Sequence, residues 1–312
     1  MAPLRVKYSK RESIRHRVIR RSGDPVIGPQ WTTSCPWCSF VSFARPGVQK
    51  NVFAILAISG IMATLAMSHP LLKQIAHRPI PMPSGPWIML QRWHDLLFAH
   101  WEIAPEQLRP LVPSQLELDL FENRAYVAVT PFWMSGVRPR LVPPLPGLSR
   151  FPELNVRTYV SYKGIPGVFF FSLDAANLPA VWGARLGYAL PYFHARMSAK
   201  EISSKIEYSS ERLQPPCPAE FKARYWPISG PRQREKNSLE YFLTERYCLY
   251  AVRANRVLRA YIHHLPWPLQ DAQAEITVNT MTQPAGITLP DSKPLLHFSR
   301  FLEVLIWWPE RA

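Results

Sequence analysis

The sequence predicts a mainly β fold with a few short helices, an antiparallel barrel or sandwich. Three observations carry this. Short runs rich in β-branched and aromatic residues recur along the chain with turn residues between them. The 33 prolines and 12% aromatic content of the 312 residues favour short strands and rigid turns over long helices. Residues 151–174, FPELNVRTYVSYKGIPGVFFFSLD, read as a hairpin whose first strand alternates cleanly. In that strand Leu154, Val156, Thr158 and Val160 face one way, and Glu153, Asn155, Arg157, Tyr159 and Ser161 face the other.

Taken in order, residues 1–50 show no period of two or of 3.6, and hold ten basic residues against two acidic ones. They read as a disordered basic extension, or as the product of a start codon called too early. They supply about half of the net charge of +15, and the remainder carries no basic stripe interleaved with aromatics. No nucleic-acid partner is therefore expected. Residues 52–67, VFAILAISGIMATLAM, are the strongly apolar run, within an uncharged stretch spanning 51–72. That length is marginal for a membrane span, which needs about 20 apolar residues. The run reads as an anchor, a signal sequence or a short packed helix. The domain is expected in the cytoplasm unless 52–67 anchors or exports it. Residues 73–86, rich in proline, read as a linker, so the compact domain is expected over 87–312.

Within that domain, 87–101 reads as mixed strand and loop, followed by a short helix with Pro105 at its first position. Residues 116–121 and 125–130 form a second expected hairpin, and 139–147 a stiff proline-rich loop over an opening. Residues 179–188 read as a short helical connection. Strand pairs are expected at 191–199 with 203–210 and at 247–253 with 256–263, and single strands at 220–228 and 295–307. Ser238 is placed to cap a helix, and 271–279 reads as another short helix.

The chemistry is sparse. There is no G-x-S-x-G, Walker loop or dinucleotide fingerprint, so no cofactor is expected. His94 and His100 lie six apart, and His263 and His264 are adjacent, so no metal site is expected. Cys35 and Cys38 match C-x-x-C without the strand-to-helix context of a redox motif, and Cys217 and Cys248 read as isolated thiols. In the hairpin, a four-residue loop Gly164–Gly167 sets Lys163 opposite Val168, Tyr159 opposite Ser172, and Arg157 opposite Asp174. Val168, Phe170, Ser172 and Asp174 then share a face, with Phe169, Phe171 and Leu173 on the other. A charge pair so deep in an apolar hairpin is either structural or used by a ligand. In the second case Glu153, Asn155, Arg157 and Asp174 line a cavity, with Tyr159 on the same face. Trp182 and Arg185 follow the hairpin, and that arginine either clamps a carboxylate or stacks on Trp182.

Four segments, 91–101 (QRWHDLLFAHW), 153–159 (ELNVRTY), 167–175 (GVFFFSLDA) and 238–247 (SLEYFLTERY), resemble the bacterial YqjF-like family, domain of unknown function 2071. The resemblance covers about 87–308. It implies an acetoacetate decarboxylase-like antiparallel β-barrel with an internal cavity. Decarboxylases of that superfamily use a Schiff-base lysine activated by a neighbouring lysine. Here Lys163, Lys200, Lys205, Lys222, Lys236 and Lys293 are isolated, and none sits in an apolar strand interior. The leading expectation is a domain that binds a small anionic or carbonyl-bearing molecule against Asn155, Arg157 and Arg185. The alternative is an enzyme of that superfamily using Glu153 or Asp174 as base and Arg157 as an electrostatic clamp. A membrane-attached accessory protein, held through 52–67, is a third reading.

Overall fold

A computed structural model of the chain describes residues 69–179, 189–213 and 218–312. The segment 52–67, residues Cys35, Cys38 and Cys217, and the site candidates Trp182 and Arg185 lie outside the described residues. The strands are β1 (Met89–Ile103), β2 (Glu117–Leu118), β3 (Ala125–Pro139), β4 (Phe151–Tyr162), β5 (Ile165–Ala175), β6 (Tyr192–Ile202), β7 (Lys205–Arg212), β8 (Glu220–Pro227), β9 (Cys248–Arg253), β10 (Arg256–His263), β11 (Gln270–Asn279), β12 (Leu295–Ile306) and β13 (Glu310–Arg311). Helices are short. Pro105–Leu108 carries its proline in the first turn, and Leu239–Thr244 is capped by Ser238, whose hydroxyl accepts from Tyr241 N at 3.2 Å.

The strands join into one sheet that forks at β5 and at β12. β4 pairs along one edge of β5, while the other edge pairs with β9 at Val168–Phe169 and with β6 at Leu173–Ala175. β1 pairs along one edge of β12, while the other edge meets β11 at Leu296's neighbours His297 and Phe298 and β10 at Leu305 and Ile306. Two closed circuits follow. Both run through β12, β1, β3, β4 and β5; one closes through β9 and β10, the other through β6, β7, β8 and β11. All pairings are antiparallel except those of β5 with β6 and with β9.

The shared strands are therefore buried on both faces, and both of their alternating sets are apolar. Leu97, Ala99, Trp101, Val127, Val129, Leu154 and Val156 pack with Tyr208, Phe221, Tyr225 and Phe298 in the wider circuit. On the opposite face, Leu96, Phe98, Phe132 and Met134 pack with Trp267 in the narrower one. Complete burial of side chains such as Phe98, Phe221 and Phe298 contributes about 1.5–3 kcal/mol each.

Several expectations need correction. Residues 271–279 form strand β11, not a helix, because pairing with β8 overrides the helix preference of its Ala, Gln and Glu. β1 is one long strand interrupted by irregular pairing between His94 and Ala99, where mixed strand and loop was expected. The expected turn forms at Glu122 and Asn123, where Phe121 and Arg124 exchange both backbone hydrogen bonds, but the hairpin goes no further, because β2 pairs with β4 rather than with β3. Residues 73–86 carry several contacts with the domain. Arg78 Nη1 donates to Ile262 O at 2.8 Å, His77 Nε2 lies 2.7 Å from His264 O, and Trp307 Nε1 donates to Gly85 O at 3.0 Å.

Candidate functional site

The β4–β5 register positions the site, and it differs from the expected one. Tyr162 pairs with Ile165, so the turn is the two residues Lys163 and Gly164, with φ of 51° and 75°. Two successive positive φ values mark the tight turn that matches strand twist. Gly167 is needed for a different reason: a Cβ there would lie 2.7 Å from the Tyr250 ring and 2.8 Å from Cys248 O, where β9 approaches.

A bulge then resets the faces. Val156 pairs with Ser172 and Arg157 with Phe170, leaving Phe171 as the extra residue. Val168, Phe170 and Leu173 consequently share the face of Glu153, Asn155 and Arg157. Asp174 pairs with Leu154 and lies on the opposite face. The expected Arg157–Asp174 pair does not exist. Asp174 is held instead by Arg212, Nη2 to Oδ1 at 2.7 Å and Nε to Oδ2 at 3.0 Å.

The narrower circuit encloses a cavity of about 500 Å³. Its wall is mainly apolar: Trp93, Phe132, Met134, Phe151, Leu173 and Trp267 among others. The polar groups on it are few. Gln91 comes from β1, Glu153, Asn155 and Arg157 from β4, Tyr192 from β6, and Thr244, Arg246 and His264 from the segments flanking β9 and β10. Of the residues singled out by sequence, Glu153, Asn155 and Arg157 line the cavity. Tyr159 is buried beside it and Asp174 is turned away.

Arg157 is buried, with its guanidinium 5.2 Å from the Phe98 ring centre and 6.0 Å from that of Tyr159. Among the described residues no carboxylate lies within ion-pair distance of it, and its Nε has no hydrogen-bond partner. Asn155 Oδ1 is likewise buried and unpartnered. The second arginine is committed: Arg246 pairs with Asp119, donates Nε to Phe242 O at 2.7 Å, and stacks 5.0 Å from Tyr159.

Glu153 does not offset Arg157. Burial pushes its carboxyl up to about 8, against the hydrogen bond from Tyr192 OH at 3.0 Å, and Asp174 raises it further. At neutral pH it is mostly a neutral acid. Tyr159 locks the wall beneath. Its hydroxyl donates to Leu243 O at 2.7 Å, so its contact with His100 Nε2 at 2.6 Å requires the proton on that nitrogen. His100 Nδ1 is then a bare lone pair, buried and unpartnered. Burial, and then the Arg157 charge, hold His100 well below the usual histidine range. Burial likewise brings His264 down to about 4. The cavity at neutral pH thus presents one uncompensated cation, a neutral acid and an apolar body.

The profile of DUF2071, an uncharacterized conserved protein family, matches residues 90–303. The chain belongs to the DUF2071 family. The uncharacterized protein YqjF of Bacillus subtilis (strain 168) is 49% identical over 235 residues, covering 75% of this chain and 97% of that protein. Among solved structures, acetoacetate decarboxylase from Legionella pneumophila aligns with a TM-score of 0.53 at 13% identity, over 78% of this chain and 96% of that one. The enduracididine biosynthesis enzyme MppR, complexed with pyruvate, aligns with a TM-score of 0.51 at 9% identity, over 75% and 93%. At these identities the likeness is one of fold, and this DUF2071 chain has the acetoacetate decarboxylase-like fold. No lysine among the described residues of this DUF2071 chain lines the cavity.

Arg246, Trp93 and Trp267 were missed by sequence reasoning. Arg246 sits in the turn between a helix and β9, where no periodicity marks a facing. The tryptophans are indistinguishable in sequence from core residues.

Proposed function

We propose that the cavity binds a small molecule bearing a carboxylate or a carbonyl, held by Arg157. The observation that supports this is the buried guanidinium of Arg157 on the wall of a largely apolar cavity, with an unpartnered Nε and, among the described residues, no carboxylate within ion-pair distance. A buried charge without a counter-ion costs stability, and a ligand anion supplies the missing counter-charge with two-pronged geometry. Asn155 Oδ1 offers an acceptor for a ligand hydroxyl or amide, and neutral Glu153 a donor. The apolar wall accommodates the ligand body. A thermal-shift screen of small organic acids tests it. A ligand at a hundred times its Kd stabilises by about 2.7 kcal/mol, and Arg157→Met abolishes the shift. Shifts of equal size in the variant refute the assignment.

The second reading keeps this ligand and adds a reaction. Its support is the raised pKa of Glu153, about 8, which suits a group exchanging protons near neutral pH. Glu153 then moves the proton while Arg157 stabilises developing negative charge, without a Schiff-base lysine. Asp174 has no place in this scheme, since it faces away and pairs with Arg212. Turnover of a screened ligand that is lost in Glu153→Gln while binding persists separates this reading from simple binding.

A further inference from the structure

The mouth of the cavity has a surface of unusual composition. From Val137 to Phe151 the sequence is VRPRLVPPLPGLSRF, with three arginines and no acidic residue. Residues 141–148 are all exposed, and they include Leu141, Val142, Leu145 and Leu148. The loop adjoins the cavity. Val137 and Pro139 line it, and Arg140 N donates to the carbonyl of another lining residue, Ile88, at 2.7 Å. Trp308 also lines the cavity and is 63% exposed.

A cluster of exposed leucines rimmed by charge marks a contact surface. Its chemistry selects the partner. Arg138 and Arg150, in a loop without an acid, favour an anionic surface, each contributing about 1 kcal/mol at a lipid headgroup layer, while Arg140 is held against Trp87 with Nη1 3.3 Å from Trp87 O. Exposed tryptophan and leucine are the side chains that settle at the boundary between headgroups and acyl chains. A second copy is disfavoured, because a two-fold contact sets this arginine-rich face against itself. The chain also enters the described domain beside the loop. Arg140 stacks 5.1 Å from Trp87, and the His69 ring lies 5.7 Å from the same tryptophan. The residues just before His69 in sequence include the apolar run 52–67.

We propose that residues 138–150, with Trp308, form a docking face for an anionic lipid bilayer, which sets the cavity mouth against the lipid surface. This does not depend on what the cavity holds.

The test uses the full chain and vesicles of phosphatidylcholine, with or without phosphatidylglycerol. Co-sedimentation is expected with the anionic vesicles and is expected to weaken with salt. Arg138→Gln and Arg150→Gln should each lower partition about fivefold, and Leu141→Ser with Leu145→Ser should lower it further. Leu141, Leu145 and Arg150 are exposed and Arg138 is half-buried, so the melting temperature of each variant, measured alongside, controls for folding. Hydrogen exchange locates the contact: the amides of Leu141, Val142, Leu145 and Leu148 become protected on vesicles. The proposal fails if vesicles do not bind. It fails equally if they bind with these amides unprotected, since the contact is then elsewhere. Self-association lost in the leucine variant, without vesicle binding, assigns the face to a second copy and also overturns it.

Discussion

Asp174 and Arg212 hold each other through two hydrogen bonds, with side chains 0% and 1% exposed, on the face of β5 that turns away from the cavity. That pairing takes up the carboxylate that the sequence suggested for Arg157, and it leaves Arg157 open to a ligand.

The first prediction concerns this pair. Asp174→Ala or Arg212→Ala alone strands a buried charge and should cost roughly 3–5 kcal/mol. Replacing both with apolar residues of similar volume should recover most of the loss. Urea denaturation of the three variants measures it. A double variant no more stable than the single ones contradicts the account.

A second prediction follows from Glu153. Its carboxyl is raised in the fold to about 8, whereas in the unfolded chain it titrates near 4.5. Between those values the unfolded state has released a proton that the folded state keeps, so this group's contribution falls as pH rises. It is fully present below about 4.5 and lost through pH 8. Glu153→Gln keeps an acceptor for Tyr192 OH and removes the titration. The stability difference, variant minus wild type, should therefore grow in favour of the variant from pH 5 to pH 9. A difference flat across that range means that Glu153 titrates normally.

How far the sequence reached is clearest at the hairpin. Alternation along β4 placed Glu153, Asn155 and Arg157 on one face, and they do line the cavity together. The partner strand defeated the same reasoning. Gly164, Ile165, Pro166 and Gly167 look like a four-residue loop, yet the last three belong to β5, and Gly167 is glycine because Tyr250 and Cys248 crowd it. A bulge at Phe171 leaves no mark in the sequence, and one extra residue reverses every facing beyond it. The strands at 192–202, 205–212 and 248–263 were legible from their patterns and turns. The forks at β5 and β12 were not, because they depend on which strand ends meet, a long-range matter that local periodicity does not record.

Lysine chemistry gives a third prediction. Among the described residues no lysine lines the cavity, and Lys205, the partly buried one near a ring, sits 3.4 Å from the centre of Trp226, outside the cavity lining. Borohydride treatment with acetoacetate or pyruvate should leave the protein's mass unchanged. A stable adduct on any lysine restores the Schiff-base mechanism and removes the distinction drawn from it.

The central claim is that Arg157 is the anchor for a ligand anion or carbonyl. It is tested most directly by a crystal structure of the protein bound to the strongest acid from the thermal-shift screen. The account predicts an oxygen of the ligand within hydrogen-bonding distance of the Arg157 guanidinium, with the body against Trp93, Phe132 and Trp267. A ligand bound elsewhere in the cavity, or an Arg157 side chain turned to pair with a protein carboxylate, contradicts it.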